Sequence, residues 1–146
     1  MGTRRQAREL VLQFLYQQDM RSKYPTALTE ALSEFWNLQE HDKTLKLFSE
    51  DLVRGVVEHG EAIDAKIKAY AENWDFHRIA VVDRNILRLA IYELLYRNDI
   101  PPVVSINEAI ELAKKFSTED SGRFVNGILD RVKKDLSRPL RTSIKS

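Results

Sequence analysis

Apolar residues recur at helical spacing along most of the chain, and no stretch shows the strict alternation that is typical of a half-buried strand. Six amphipathic stripes lie at positions 10–15, 28–36, 45–56, 62–70, 106–113 and 125–136. Each stripe leaves the opposite face of its segment polar. Each therefore predicts a helix that packs one side against a core.

A seventh segment, residues 83–99, has a different pattern. It reads DRNILRLAIYELLYRND, and its apolar residues cover most of the circumference of a helix. We expect this helix to be the central one, contacted by its neighbours from several sides. The following IPPVVS ends it, because a proline disfavours helical geometry in the residue before it.

The ends of the last two helices carry recognisable signals. Ser105 and Glu108 have the spacing of a capping box, which predicts that the sixth helix begins at Ser105. The sequence FSTEDSG separates the sixth and seventh helices, and the polar SRPLRTSIKS predicts a frayed C-terminal tail. We expect an all-α fold of about seven helices, with one domain over residues 1–138 and a polar tail over 139–146.

Composition narrows the class of protein. Of the 146 residues, 43% are hydrophobic and 31% are charged, which suits a packed interior with a well-solvated surface. The absence of cysteine excludes disulfides, thiolate metal sites and a cysteine nucleophile. The apolar runs are too short for a membrane span, and the N-terminal arginines precede no continuous apolar run of a secretory signal. We expect a cytoplasmic protein that does not bind membranes.

The sequence shows no group of titratable residues with the spacing of a catalytic site. The histidines, His41, His59 and His77, are scattered and lack metal-ligand spacing. The five glycines form no phosphate-binding loop. Ser105 is better explained as a helix cap than as a nucleophile. The sequence therefore predicts no enzyme activity, no cofactor and no metal.

Charge is unevenly distributed although the net charge is only +1. Residues 1–23 contain five basic and two acidic groups, residues 24–64 contain three basic and nine acidic groups, and the remainder carries a net +4. Two basic ends thus flank an acidic middle. This pattern would suit a single anion-binding face if the fold brings the ends together.

The first basic cluster opposes the helix dipole. Arg4, Arg5 and Arg8 crowd the start of the first helix, where the dipole disfavours cations. At about 100° per residue, Arg5, Arg8, Leu12 and Tyr16 share one side of that helix. Guanidinium groups match phosphate oxygens and stack on bases, and helix N-termini favour anions, so RNA is one explanation. The alternative is that these arginines pair with surface carboxylates or keep the terminus soluble.

A second basic segment contains aromatic residues. Lys114, Lys115 and Phe116 precede the short loop, and Arg123 and Phe124 follow it. Basic residues interleaved with aromatic rings suit single-stranded RNA, whose bases stack on such rings. The alternative is that Phe116 continues an apolar stripe into the core, and we favour this for Phe116. Phe124 lies nearer the edge of its apolar face and is the better candidate for RNA.

Gly127 interrupts the seventh helix, where glycine costs about 1 kcal/mol relative to alanine. Either a close helix contact or a ligand that approaches the backbone would explain it. We expect a packing contact.

With these residues in view, the sequence resembles the NusB family of bacterial transcription antitermination factors. The resemblance covers nearly the whole chain and is carried in order by RRQARELVLQFLYQ, DRNILRLAIYELLYR and PPVVSINEAIELAKKFSTEDSGRFVNGILD. It implies two small helical bundles packed together and a role without catalysis. Members of the family bind boxA RNA together with NusE, a ribosomal protein, and help RNA polymerase to pass terminators while it transcribes ribosomal RNA.

The resemblance also implies a set of functional residues. The residues that it places on the RNA surface are Arg4, Arg5, Arg8, Tyr16, Phe116, Asp120, Arg123 and Phe124. Gln6 stands where some relatives have another arginine, which removes one charge. Asp83, at the start of the central helix, matches a position on the side that faces NusE. Asp120 would either accept a hydrogen bond from a base or cap the seventh helix.

Three other interpretations stay open. Similar domains occur at the N-terminus of ribosomal RNA methyltransferases, although this chain lacks a cofactor-binding glycine loop. A helical protein-interaction module would instead use its basic ends to bind acidic partners. A homodimer that buries the arginine face is compatible with the family's role.

Overall fold

The computed structural model describes residues 3–21, 27–37, 41–72 and 74–140. These residues form seven α-helices, one short 3-10 turn and no strand, as the apolar periodicity predicts. The helices are α1 (Thr3–Met20), α2 (Leu28–Asn37), α3 (Lys43–Glu58), α4 (Gly60–Tyr70), α5 (Val81–Tyr96), α6 (Pro102–Phe116) and α7 (Glu119–Lys134). No helix in this part of the chain is long and apolar enough to cross a lipid bilayer.

Helix α5 is the centre of the fold. It packs against α1 and α3, which contact each other, and against α4, α6 and α7, of which α7 contacts the other two. Three of its side chains, Ile86, Leu87 and Ile91, are completely buried. The prediction of a central helix is therefore confirmed, and the two groups of helices share one hydrophobic core through α5.

Helix α1 is buried over more of its circumference than its apolar stripe predicts. Ala7, Arg8 and Leu12 are buried in addition to the stripe, because α1 packs against both α3 and α5. The side of α1 that carries Arg5 and Tyr16 is thus not one continuous exposed face.

Helix α6 begins earlier than predicted. It starts at Pro102, where a proline needs no intrahelical donor, so the capping box at Ser105 is not formed. Ser105 is buried inside the helix, and its hydroxyl donates to Glu93 Oε1 at 2.7 Å. This hydrogen bond instead links α6 to α5.

The start of the predicted C-terminal tail is held against the body of the protein. The Arg138 guanidinium donates to the carbonyl oxygens of Leu94 and Ile100, the latter at 2.9 Å, and burial lowers the pKa of Arg138. The Val103 N–H donates to the Leu140 carbonyl at 2.9 Å. The prediction of a frayed tail is therefore wrong for these residues, because they satisfy carbonyl and N–H groups at helix ends. Residues 141–146 lie outside the described residues.

The glycine at a close helix contact is Gly55, not Gly127. A Cβ atom at Gly55 would overlap the Tyr92 ring, so α3 and α5 approach closely there. A Cβ atom at Gly127 would meet nothing within 4 Å, and Gly127 is exposed on α7. The packing explanation that we expected for Gly127 is wrong.

Candidate nucleic-acid interface

The first turn of α1 presents two exposed arginines. The Arg4 guanidinium carbon lies 4.6 Å above the centre of the Phe48 ring on α3. Arg97 also faces this ring, at 5.4 Å. A hydrogen bond from Arg97 lowers the pKa of Asp99, and the nearby charge of Arg4 acts in the same direction. Two guanidinium groups therefore lie at this corner of the molecule, with Asp99 as a nearby counter-charge.

Arg5 is exposed but already has a carboxylate partner. Its Nε donates to the two carboxylate oxygens of Glu108 at 3.0 and 3.3 Å. Glu108 belongs to α6, so this ion pair joins the first and sixth helices. A phosphate that binds Arg5 must compete with Glu108 or share the guanidinium with it.

Arg8 is not part of an open cluster, and this expectation is wrong. Only 3% of the residue is exposed, and its guanidinium forms two hydrogen bonds to Glu93, at 2.7 and 2.8 Å. Glu93 is itself buried on α5 and also accepts the Ser105 hydroxyl. The alternative in which arginines pair with carboxylates therefore describes Arg8 best. Such a buried charge is tolerated because it is paired and hydrogen-bonded.

Tyr16 and Phe116 line one groove between α1 and α6. The groove has a volume of about 530 Å³, and its apolar lining includes Leu10, Leu12 and Val82. Phe116 is 45% exposed, so the favoured core position is wrong and the ring faces solvent. Lys115 lies 5.3 Å from that ring and pairs with Glu9 at 2.8 Å. The groove thus combines exposed aromatic rings with an edge where Lys115 and Glu9 form an ion pair.

The start of α7 carries the remaining predicted RNA residues. Thr118 caps this helix by accepting from the Ser121 N–H, so Asp120 is not the cap. Asp120 instead forms an exposed ion pair with Arg123. The Phe124 ring is half-buried and meets the Trp74 ring edge to face at 5.5 Å.

Asp83 does not lie open on the surface as a direct partner contact requires. It is 6% exposed, and its Oδ2 accepts the Ser121 hydroxyl at 2.8 Å. Its Oδ1 has no hydrogen-bond partner among the described groups. Because Ser121 also contacts the cap residue Thr118, Asp83 fixes the start of α7. A role for Asp83 in partner binding must therefore act through that helix.

The sequence profile of the NusB family matches residues 5–134. The chain belongs to the NusB family. A relative from Methylacidiphilum infernorum named transcription antitermination protein NusB is 51% identical, and the match covers 94% of this chain and 95% of that protein. A protein of the same name from Thermodesulfovibrio yellowstonii is 47% identical over 90% of this chain and 92% of that protein.

Solved structures of the NusB family have the same fold. NusB of T. maritima superposes with a TM-score of 0.82 at 42% identity, covering 92% of this chain and 93% of that one. A crystal structure of the antitermination factors NusB and NusE in complex with double-stranded RNA gives 0.81 at 30% identity, covering 93% and 99%. The fold that the resemblance implied is therefore confirmed.

Sequence reasoning missed the groups that surround Arg4, Arg5 and Arg8. Phe48, Glu93 and Glu108 come from three different helices and lie far along the chain from α1. Trp74 lies in the loop after α4, outside every amphipathic stripe of the sequence. Only its aromatic character, in a polar segment, hinted at a surface role.

Proposed function

We propose that this protein is a transcription antitermination factor that binds RNA together with NusE. The observation that carries the proposal is that the groove of Tyr16 and Phe116 adjoins a smaller pocket lined by Arg5, because Glu9 and Lys115 line both, in a member of the NusB family. The related NusB that was crystallised with NusE and RNA supports both partners. In this role the protein has no catalytic step and needs no cofactor.

The exposed arginine and aromatic side chains contact different parts of the RNA. Arg4 and Arg5 contact phosphates, which supplies affinity that falls with salt. Tyr16 and Phe116 stack on unpaired bases, which supplies contact independent of salt. Arg8 acts differently, because its pair with Glu93 fixes α1 against α5 and so positions the other two arginines.

We further propose that the RNA is a boxA-like single strand in nascent ribosomal RNA transcripts, and that RNA polymerase is reached indirectly through the assembled complex. The curated relatives favour antitermination over a methyltransferase domain, since they carry that name and are matched over 92–95% of their length. Binding of RNA would separate this proposal from a protein-interaction module. Self-association stays a prediction.

The deciding experiment is a fluorescence-anisotropy titration with labelled boxA-like RNA. Scrambled single-stranded RNA and a duplex are the controls, each with and without NusE and at two salt concentrations. We expect boxA-like RNA to bind best, more tightly with NusE and less tightly at high salt. Equal, weak binding to every RNA, unchanged by NusE, would contradict the proposal and favour the interaction module.

Replacing Asp120 with asparagine is expected to tighten RNA binding. The substitution removes an exposed negative charge and releases Arg123 from its ion pair, so Arg123 becomes free for phosphate. Exposed pairs contribute up to about 1 kcal/mol, which predicts up to about fivefold tighter binding in the same titration. Glu119→Gln is the matched control, since Glu119 lies in the same helical turn. Unchanged or weaker binding by Asp120→Asn would show that Asp120 does not oppose RNA.

A further inference from the structure

Trp74 is the most exposed tryptophan, tyrosine or phenylalanine in the described part of the chain, at 60%. Its backbone is nevertheless fixed, because its N–H donates to the Ala71 carbonyl at 2.9 Å. The next residue, Asp75, accepts the His77 N–H at 3.0 Å and caps the 3-10 turn Phe76–Arg78. An indole is thus presented to solvent on an ordered turn.

Arg131 of α7 and Asp135, the residue directly after that helix, hold this turn in place. Arg131 donates to the carbonyl oxygen of Tyr70 and pairs with Glu72 at 3.2 Å. The Tyr70 hydroxyl donates to Asp135. These contacts attach the end of α4 to α7 directly before Trp74. The position of the indole over α7 is therefore built into the fold.

The indole meets the one aromatic ring of α7. The planes of Trp74 and Phe124 are inclined at 66°, with their centres 5.5 Å apart, so the edge of one ring faces the other. Trp74 is 60% exposed, so the corner that the two rings form opens to solvent on its Trp74 side. Edge-to-face contact is one of the arrangements that aromatic pairs prefer.

Gly127 extends this corner along α7. It lies one turn after Phe124 and one turn before Arg131, on the same side of the helix. It is exposed, and a Cβ atom there would meet nothing within 4 Å. A glycine inside a helix is unfavourable relative to alanine, and no packing contact explains this one. Of the two explanations for Gly127, the approach of a ligand to the backbone is the one that fits.

We propose that Trp74, Phe124 and the bare backbone at Gly127 form a stacking ledge for an unpaired base of the bound RNA. The inference rests on the proposed RNA-binding function and adds Trp74 and Gly127 to its surface. The ledge is continuous with Arg123, which precedes Phe124. The two arginines next to the ledge already have carboxylate partners, Arg123 with Asp120 and Arg131 with Glu72. The ledge therefore contributes base stacking and not new phosphate contacts.

Tryptophan fluorescence provides a direct test in the full chain. The other tryptophan, Trp36, is buried in the core and serves as the internal reference. Titration with boxA-like RNA should quench the emission of the wild-type protein, and the quenching should disappear in Trp74→Phe. The phenyl ring still stacks, so the affinity of Trp74→Phe measured by RNA anisotropy should fall less than threefold.

Affinity and salt dependence separate stacking from other roles. Trp74→Ala should weaken binding of the RNA about tenfold while the salt dependence stays the same. Gly127→Ala should also weaken binding, although it should raise the melting temperature. Gly60→Ala is the matched control. Gly60 is also a helical glycine where a Cβ atom would meet nothing within 4 Å, but it lies on α4 and not on α7. It should leave RNA affinity unchanged.

Three results would overturn the ledge. The first is RNA binding seen by anisotropy without quenching of the wild-type protein. The second is wild-type affinity in Trp74→Ala. The third is a loss in Trp74→Ala that occurs only when NusE is present, which would assign the ledge to the protein partner. Failure of the wild-type protein to bind any RNA by anisotropy would instead overturn the proposed function itself.

Discussion

Replacing Arg8 with alanine is expected to lower the free energy of unfolding by about 3–5 kcal/mol, the cost of leaving one partner of a buried ion pair alone. The stranded group is Glu93, which is 1% exposed and would keep only the Ser105 hydroxyl. Since small domains are stable by about 5–15 kcal/mol, the loss removes a large part of the total. Urea unfolding followed by circular dichroism measures it.

A charge-free double variant separates the lost charge pair from lost packing. Arg8→Met with Glu93→Gln keeps the volume of both side chains and an acceptor for Ser105, and it buries no charge. We expect it to recover most of the stability that Arg8→Ala loses. Equal destabilisation of both variants would show that the guanidinium acts through hydrogen bonds that glutamine and methionine do not replace.

The same double variant tests whether Arg8 contacts RNA. Because Arg8 is 3% exposed, we expect the salt dependence of RNA binding by Arg8→Met with Glu93→Gln to match that of the wild-type protein. A flatter salt dependence in this double variant would show that Arg8 contacts a phosphate of the RNA. Because Arg8 is buried and paired with Glu93, truncating it together with Arg5 would disturb the fold as well as any RNA contact.

Replacing Arg4 and Arg5 together with alanine is expected to weaken RNA binding by about 2–3 kcal/mol, or roughly 30- to 150-fold. Two fewer phosphate contacts should flatten the slope of log affinity against log salt by about 1.4 for a single strand. Both side chains are exposed, and surface substitutions usually change stability by less than about 0.5 kcal/mol. Anisotropy at several salt concentrations measures both effects.

The matched control for this variant is Arg54→Ala with Lys66→Ala. These two residues are exposed on α3 and α4 and carry the same total charge. If the arginines act as specific phosphate contacts, the control should keep nearly full affinity. If both double variants lose the same affinity, net charge alone would explain the binding, and Arg4 and Arg5 would not define a site.

The number of helices, their approximate positions and the central role of α5 could be predicted from the sequence. These features depend on the 3.6-residue period of apolar side chains. That period can be recognised in each segment of the sequence without knowing which helices pack together. The family could be identified from the sequence as well, because its motifs cover nearly the whole chain. The start of α6 was misplaced, since Ser105 and Glu108 match a local capping signal while each bonds to a distant helix.

Only the tertiary structure decided which polar residues face solvent. Arg5 and Arg8 are close in sequence, yet Arg8 meets a carboxylate 85 positions away in the core and Arg5 meets one 103 positions away near the surface. The same holds for Trp74, whose neighbour Phe124 comes from another helix. Helical periodicity gives the direction of a side chain around its own axis, but burial and ion pairing depend on which helices pack against that side. Which helices pack against that side is determined by the tertiary packing of the whole chain and not by the local sequence.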